Sequence, residues 1–486
     1  MPGVVVTTAV RTGPSSANVT PSATFFVVGQ TERGPSDEAV LVTSIADFEE
    51  KFGNYVSYGY VHPQVQTYFE EGGAQVYVSR VVGASATVGT LDIDNTAAGT
   101  AFTLTAVGAG DWSENLKAQI VAAGAGFAVR LFLEESGVDT LVYNSGECAS
   151  ATIAVNKINT SPLASSYCTA AVGTGTPATM GAAEAFSAGD DDRASIVTAD
   201  YVDGMDLFLD TFGAGAVAIP GQNGSTIWDA MIEHCNTNHR IALCAFSEAE
   251  TSSNAITEVA AYADAANAEH AAFFYPWVQI ERAQNVLMYI SPEGYVAAKR
   301  AAAQNSVGPW QPYAGLRSEA SFVLGLKTAI SKAVGDDLDE GRVNALRVIN
   351  GRVRIYGART ASNDEVNFRY ITAQEMLNYV VVEAQAQLED LVFSTIDGRQ
   401  TLFSNVKSRL TNLLDPIRIA GGLYEAFDNT GRRIDYGYSV VVNEAINPVS
   451  QLAGGLIRAK IGIRVSSVGD QIEVSVTKSN LTASVV

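Results

Sequence analysis

The chain has 486 residues, and 31 Lys+Arg against 52 Asp+Glu leave a net charge of −21. Apolar residues make up 47% and charged residues only 17%, which excludes a disordered chain and supplies a core for roughly two to four domains. So acidic a balance argues against nucleic-acid phosphate as a partner of the whole molecule, and no stretch approaches the roughly eighteen apolar residues of a spanning helix.

The acidity is uneven. Residues 341–486 hold 16 Lys+Arg and 14 Asp+Glu, a net of +2, while residues 1–340 carry −23. Such a split fits two parts of a molecule that face different partners, and equally fits plain drift in a large acidic chain, the reading slightly favoured on the residues alone. Four cysteines do not make a disulfide scaffold. Cys235 and Cys244 fall in an apolar stretch and read as buried thiols. Cys148 and Cys168 lie in a Ser/Thr/Ala/Gly-rich segment, where pairing in an oxidising medium stays open.

The N-terminus, Met1-Pro2-Gly3-Val4, lacks the basic and apolar regions of a secretory signal. Residues 2–8 are β-prone, and 11–24 read as a linker. Thr24–Gly29 reads as a buried strand, Ser44 as the N-cap of a helix to Phe52, and Pro63–Glu71 as a helix ending at Gly72-Gly73. Ala74–Val82 is another predicted strand. Residues 84–188 turn rich in Ala, Gly, Thr and Ser, with little helical periodicity, and predict an inserted β domain. From 195 to 350 strands and helices alternate. The strands are Gly215–Ile219, Arg240–Phe246, Ala271–Trp277 and Asn285–Ile290; the helices are Ala199–Phe212, Ser225–Asn236 and an Ala-rich one around 252–269. That order predicts a mainly parallel sheet. Glu375–Phe393 carries apolar residues at helical spacing, and a second helix covers 401–414. Ile434, Tyr436, Tyr438, Val440 and Val442 share one strand face. Ile457–Val465 alternates likewise, with Arg458, Lys460 and Arg464 opposite its apolar side.

Chemistry is sparse. The loop Gly221–Thr226 sits where a phosphate loop would, but lacks the Walker lysine and spacing. Glu233, His234, Cys235, His239 and Cys244 match no zinc pattern. Asp190-Asp191-Asp192 lacks the spaced ligands of a calcium loop and reads as a solvated acidic turn. With four histidines and no nucleophile elbow, the sequence predicts no catalytic residues, no metal and no cofactor. The competing reading is an α/β ligand-binding protein or enzyme using residues 221–226. A secreted surface-layer protein is a third, disfavoured by the missing signal.

In order, Pro2-Gly3-Val4-Val5-Val6, Phe25–Gly29, Arg33-Gly34-Pro35, Phe69-Glu70-Glu71-Gly72-Gly73 and Val78-Ser79-Arg80-Val81 resemble segments of the tail sheath proteins of contractile phages and related injection particles. Gly110-Asp111-Trp112-Ser113-Glu114-Asn115 is similar to that family's Gly-x-Trp-Gly-Asn turn. Ile219-Pro220-Gly221, Tyr275-Pro276-Trp277, Ser291-Pro292-Glu293-Gly294, Gly308-Pro309-Trp310, Val343–Arg347 and Gly357–Thr360 continue the series. The order of these motifs over most of the chain carries the resemblance. Two segments depart: Phe368-Arg369-Tyr370-Ile371 lacks the family's paired arginines, and Val465–Asp470 replaces its Pro-rich acidic stretch.

The resemblance implies an α/β and α+β multidomain, tail-sheath-like fold with swapped terminal strands. Residues 1–20 would be an N-terminal linking arm, and 21–83 with 190–350 the mainly parallel α/β core. Residues 84–189 would be the outward-facing inserted domain, 351–469 a tube-facing α+β domain, and 470–486 a C-terminal linking strand. Val4, Val5, Val6, Ile472, Val474 and Val476 would fill pockets in neighbouring sheets. Implied partners are further copies in hexameric rings stacked as a six-start helix, a tail tube protein, and baseplate and terminator proteins, with no nucleic acid and no membrane insertion. The implied location is a virion tail assembled in the host cytoplasm. The basic residues expected to face an acidic tube are Lys407, Arg409 and Arg418, with Arg458, Lys460 and Arg464 as the alternative face.

Overall fold

A computed structural model describes residues 21–470 apart from Ala98 and Ser136. Val4, Val5, Val6, Ile472, Val474 and Val476 lie outside the described residues. The chain divides into two compact units, Met1–Val382 and Glu383–Val486.

The first unit begins with β1 (Thr24–Gly29), whose six residues are all buried. β2 (Val40–Val42) follows, then α1 (Ile45–Phe52), where Ser44 Oγ accepts from Asp47 N–H at 3.1 Å as the sequence predicts. α2 (Val61–Glu70) ends two residues before Gly72 (φ 102), and β3 (Val76–Arg80) returns to the sheet.

Next come β4 (Thr90–Asp94), β5 (Thr100–Ala106), β6 (Leu116–Ala123), β7 (Gly126–Glu135), β8 (Val138–Asn144), α3 (Ala151–Thr160), α4 (Pro162–Ser165), β9 (Cys168–Val172) and β10 (Glu184–Ala185). They form two antiparallel sheets, β4-β5-β9 and β10-β6-β7-β8, around a core of their own that includes Phe102, Trp112, Leu116, Val129 and Ile158. α3 is the element the composition concealed. Its buried positions Ala151, Ala154, Val155 and Ile158 recur at three and four, but Thr152, Ile153 and Val155 are β-branched and weaken the local helical signal. Cys148 and Cys168 are free thiols buried in this core, and burial pushes Cys168 up to about 12.

The unit continues through α5 (Thr198–Asp206), β11 (Gly215–Ala218), α6 (Ser225–Thr237), β12 (Ile241–Ala245), α7 (Ser252–Ala260), β13 (Ala271–Tyr275), β14 (Val278–Ala283), β15 (Val286–Ile290), α8 (Glu293–Ser306), β16 (Gly325–Leu326), α9 (Lys332–Glu340), β17 (Val343–Ile349) and β18 (Arg352–Ile355). The main sheet has the order β18-β17-β13-β12-β11-β1-β3-β2. Six strands run parallel, and β2 and β18 close the edges antiparallel. Alternation along β1 sends Phe25 and Val27 into one core, with Tyr68, Phe274 and Tyr295. Phe26 and Val28 enter the other, with Phe208, Trp228 and Phe273.

One predicted strand is placed differently. Residues 286–290 do not join the parallel sheet but pair antiparallel with β14 in a side sheet, β15-β14-β16. Asn285 at φ 62 makes the tight turn, and a connection this short cannot make a parallel crossover. The Ala-rich helix also stops early, at Ala260, before a turn with Asn267 at φ 63.

α10 (Ile371–Leu388) starts before, and ends before, the span read from periodicity. The second unit holds its last turns, α11 (Thr401–Ile419), β19 (Ala426–Phe427), β20 (Arg433–Asp435), β21 (Tyr438–Val441), α12 (Val449–Leu452) and β22 (Lys460–Ile463). Leu402, Phe403, Val406, Leu410 and Val442 form its core, flanked by Ala384, Leu388, Val440, Ile457 and Ile461. The single face predicted over 434–442 is broken at Gly437 (φ 75), which leaves Ile434 and Tyr436 66% and 54% exposed.

The unit boundary redraws the charge split. Residues 383–486 hold ten Lys+Arg and eleven Asp+Glu, a net of −1, and 1–382 carry −20. The arginines between 342 and 369 belong to the first unit, where Glu319 pairs with Arg354 and Glu365 with Arg359.

Candidate assembly surfaces

Among the described residues, the second unit presents short strands in two-stranded sheets. β21 and β22 pair with Tyr438 opposite Ile463 and Val441 opposite Lys460. At the Gly437 bend, Arg464 N–H donates to Gly437 O at 2.7 Å, and Tyr424 N–H donates to Arg464 O at 2.8 Å. Val440 and Ile461 turn toward α11, while Ser439, Lys460 and Gly462 are exposed. Among the described residues this sheet has two strands. Among the described residues each therefore keeps an outer row of N–H and C=O groups, and an edge of this kind templates an added strand. Tyr424, Phe427, Ile434, Tyr436 and Val449 add exposed apolar surface to the same unit.

The basic candidates separate on inspection of their partners. Lys407 is exposed and makes no ion pair among the described residues. Arg409 lies two positions on, roughly 200° around the helix. It donates to Gln387 O at 2.7 Å, and its guanidinium holds both oxygens of Asp390, Nη2 to Oδ2 at 2.8 Å. Arg418 shares the Lys407 face but is committed to Asp415 at 3.1 Å and Glu425 at 3.0 Å, with its guanidinium 5.4 Å from the Tyr436 ring centroid. The Tyr438 hydroxyl and Arg418 hold Asp415 below the usual carboxylate range. On the alternative face, Arg464 pairs with Asp435 at 2.8 Å. Arg458 and Lys460 are exposed and make no ion pair among the described residues. Asn447 fixes the Arg458 backbone, accepting its N–H at 2.6 Å and donating to its carbonyl at 2.9 Å.

In the loop at 221–226, Gly221 (φ 80) packs against the Tyr60 ring, and Gln222 donates to Tyr201 Oη at 3.2 Å. The residues around His234 form no metal-binding group among the described residues. His234 Nε2 faces Arg240 Nη1 at 2.9 Å, and burial and the guanidinium together hold its pKa down to about 3. Cys235 and Cys244 are buried free thiols.

Other polar residues escaped the sequence reading. Asp191, read within a solvated turn, is buried between Arg80 and Arg193. Along α8, Lys299 Nζ lies 2.6 Å from Glu71, whose carboxylate also accepts from the N–H groups of Ser321, Phe322 and Val323. Burial pushes the Glu71 carboxyl up, but Lys299 and these N–H groups outweigh it and hold it low. Arg300 Nε lies 2.5 Å from Glu375, which also accepts from Gln304 at 3.0 Å.

No family model matches the chain, and no curated protein does. Solved structures do. The chain aligns with the PVC sheath complex of an extracellular contractile injection system in its contracted state, at 17% identity, over 99% of this chain and 98% of that one, with TM-score 0.56. A sheath tail protein of Listeria innocua aligns at 14% identity over 87% and 89%, with TM-score 0.58. The contracted helical sheath of the anti-feeding prophage aligns at 14% over 99% of each chain, with TM-score 0.55. The fold is that of contractile sheath proteins. The resemblance carried by scattered short motifs thus holds at the level of the fold, over nearly the whole length. On this sheath fold the edges of β21 and β22 that are open among the described residues, and the exposed Lys407, belong to the second unit, and the acidic excess belongs to the first.

Proposed function

We propose that the chain is a structural subunit of a contractile tail or injection-particle sheath, and not an enzyme. Copies polymerise as stacked hexameric rings in a six-start helix around a tail tube. Contraction then drives the tube through a target envelope, with baseplate and terminator proteins at the ends. The supporting observation is an alignment over 98–99% of both chains with sheath assemblies. In this reading the terminal segments 1–20 and 470–486 add strands to the open edges of neighbouring second units. Residues 84–189 face outward, and 351–469 face the tube. The heterologous, non-closing contacts of such a chain produce an open helix, and the stored energy is the difference between two packings of the same subunits. Lys407 is the first tube-facing candidate. Lys460 and Arg458 come next, because the charges of Arg409, Arg418 and Arg464 are already neutralised within the unit.

The test is negative-stain microscopy of the purified full-length chain, alone and with its tube. Striated hollow tubes of uniform diameter are expected. A monodisperse monomer at all concentrations, with measurable affinity for a phosphate ligand, would overturn the reading in favour of a binding protein at residues 221–226.

A further inference from the structure

Residues 84–189 leave the core after β3 and return through Asp190–Asp192, so the lobe hangs on two crossings of the chain. The crossings are bonded to each other: Gly83 N–H donates to Asp191 O and Thr87 N–H to Asp190 O, each at 2.8 Å. At their centre stands the buried Asp191 carboxylate. Arg80 of β3, fully buried, donates Nη2 to Asp191 Oδ1 at 2.5 Å and Nη1 to Gly34 O at 3.0 Å. Arg193 of the return segment binds the other oxygen of Asp191 and reaches Asp111 of the lobe at 3.3 Å. Its guanidinium also lies 4.2 Å from the centroid of the Tyr58 ring.

The lobe comes close enough for this only through glycine. Gly108 (φ 78) and Gly110 (φ 129) are left-handed. A Cβ at the first would lie 1.9 Å from Gly34 O, and one at the second 2.3 Å from Asp191 Oδ1. Softer contacts flank the joint, among them Asn54 Nδ2 of the core to Glu135 Oε1 of the lobe at 3.5 Å. Arg33 of the core sits 5.0 Å from the Tyr167 ring centroid and 5.9 Å from that of Trp112, both in the lobe.

We propose that Asp191 is the pin that fixes the lobe on the α/β core: its carboxylate ties Arg80 of the outgoing strand to Arg193 of the return segment, and Arg193 carries the tie on to Asp111 of the lobe. Without it Arg80, which cannot reach water, loses the carboxylate it pairs with, and Arg193 keeps only the longer contact to Asp111. The lobe keeps its own two sheets and its own hydrophobic core, so loss of the pin loosens the joint and spares the folding of either part. This inference stands whether or not the chain forms a sheath.

The experiment is hydrogen exchange with mass spectrometry on the full-length protein and its Asp191→Asn variant. Exchange is expected to accelerate at least tenfold in peptides over 81–90, 108–115 and 187–195. Peptides over 127–133 in the lobe and 241–245 in the core should be unchanged. Arg193→Gln, which removes one partly exposed arm, is expected to give a smaller change at the same peptides and to add little on top of Asp191→Asn. This second variant keeps the test decisive if Asp191→Asn fails to fold. Unchanged exchange at the joint in both variants, or uniform acceleration along the whole chain, would overturn the proposal.

Discussion

At the residue scale, the burial of single polar groups decides what the sheath fold tolerates. Glu293 opens α8 fully buried, with Gln64 Nε2 at 3.4 Å as its side-chain neighbour. Burial pushes its carboxyl from 4.5 to about 7, against hydrogen bonds from Ser291 and the helix N-terminus. The folded state therefore holds the proton more tightly than the unfolded chain. Below pH 4.5 both states are protonated and Glu293 carries no penalty. Between pH 4.5 and 7 the unfolded chain ionises first, and stability falls by up to about 3 kcal/mol. Glu293→Gln keeps the shape and the acceptor for Gln64 while removing the ionisation. Denaturant unfolding is expected to show the variant more stable at pH 8 and converging on the parent at pH 4; an equal difference at both would refute it. Some residues at this scale were legible in sequence. Ser44 announced its cap because a cap is local, three residues from the N–H it accepts. Asp191 did not, because its partner at position 80 is more than a hundred residues away and meets it only in the fold.

At the element scale, α8 is the clearest case of sequence concealing structure. It carries Glu293, Lys299, Arg300 and Gln304, yet all four are buried, because Glu71 and Glu375 enter the core to meet the two cations. Removing one partner of such a pair leaves an uncompensated buried charge. Glu375→Ala is therefore expected to cost about 3–5 kcal/mol in urea unfolding. The double replacement Arg300→Met with Glu375→Leu should recover most of that loss. A double variant as unstable as Glu375→Ala would show that shape, not charge, fixes α8. Where burial and composition agree, the sequence was a good guide. β1, β12 and β13 were read as buried strands from unbroken apolar runs, since central strands covered on both faces need no alternation. The hairpin of β17 and β18 went unread although Asn350-Gly351, both at positive φ, is the dipeptide that such a turn demands. The edges of β21 and β22, open among the described residues, were out of reach, because an edge is set by which strands pair in the fold and not by the residues of the strand itself.

At the scale of the molecule, charge sets how copies approach one another. A chain of net −21 repels its own copies, most of all across the first unit at −20. The second unit, near neutrality at −1, keeps Lys407, Arg458 and Lys460 clear of ion pairs among the described residues. These facts pull in opposite directions with salt. Self-polymerisation is opposed by like charge and should strengthen as the screening length shrinks to about 8 Å near physiological ionic strength. Under the proposed function, docking on an acidic tube would be helped by opposite charge and should weaken over the same range. Light scattering of the purified chain is thus expected to rise between low and moderate salt, while co-sedimentation with tubes falls. Lys407→Glu should reduce tube binding at low salt several-fold, flatten its salt dependence, and leave tube-free polymerisation unchanged. The proposed tube-facing role of Lys407 would be wrong if Lys407→Glu altered self-polymerisation and spared tube binding.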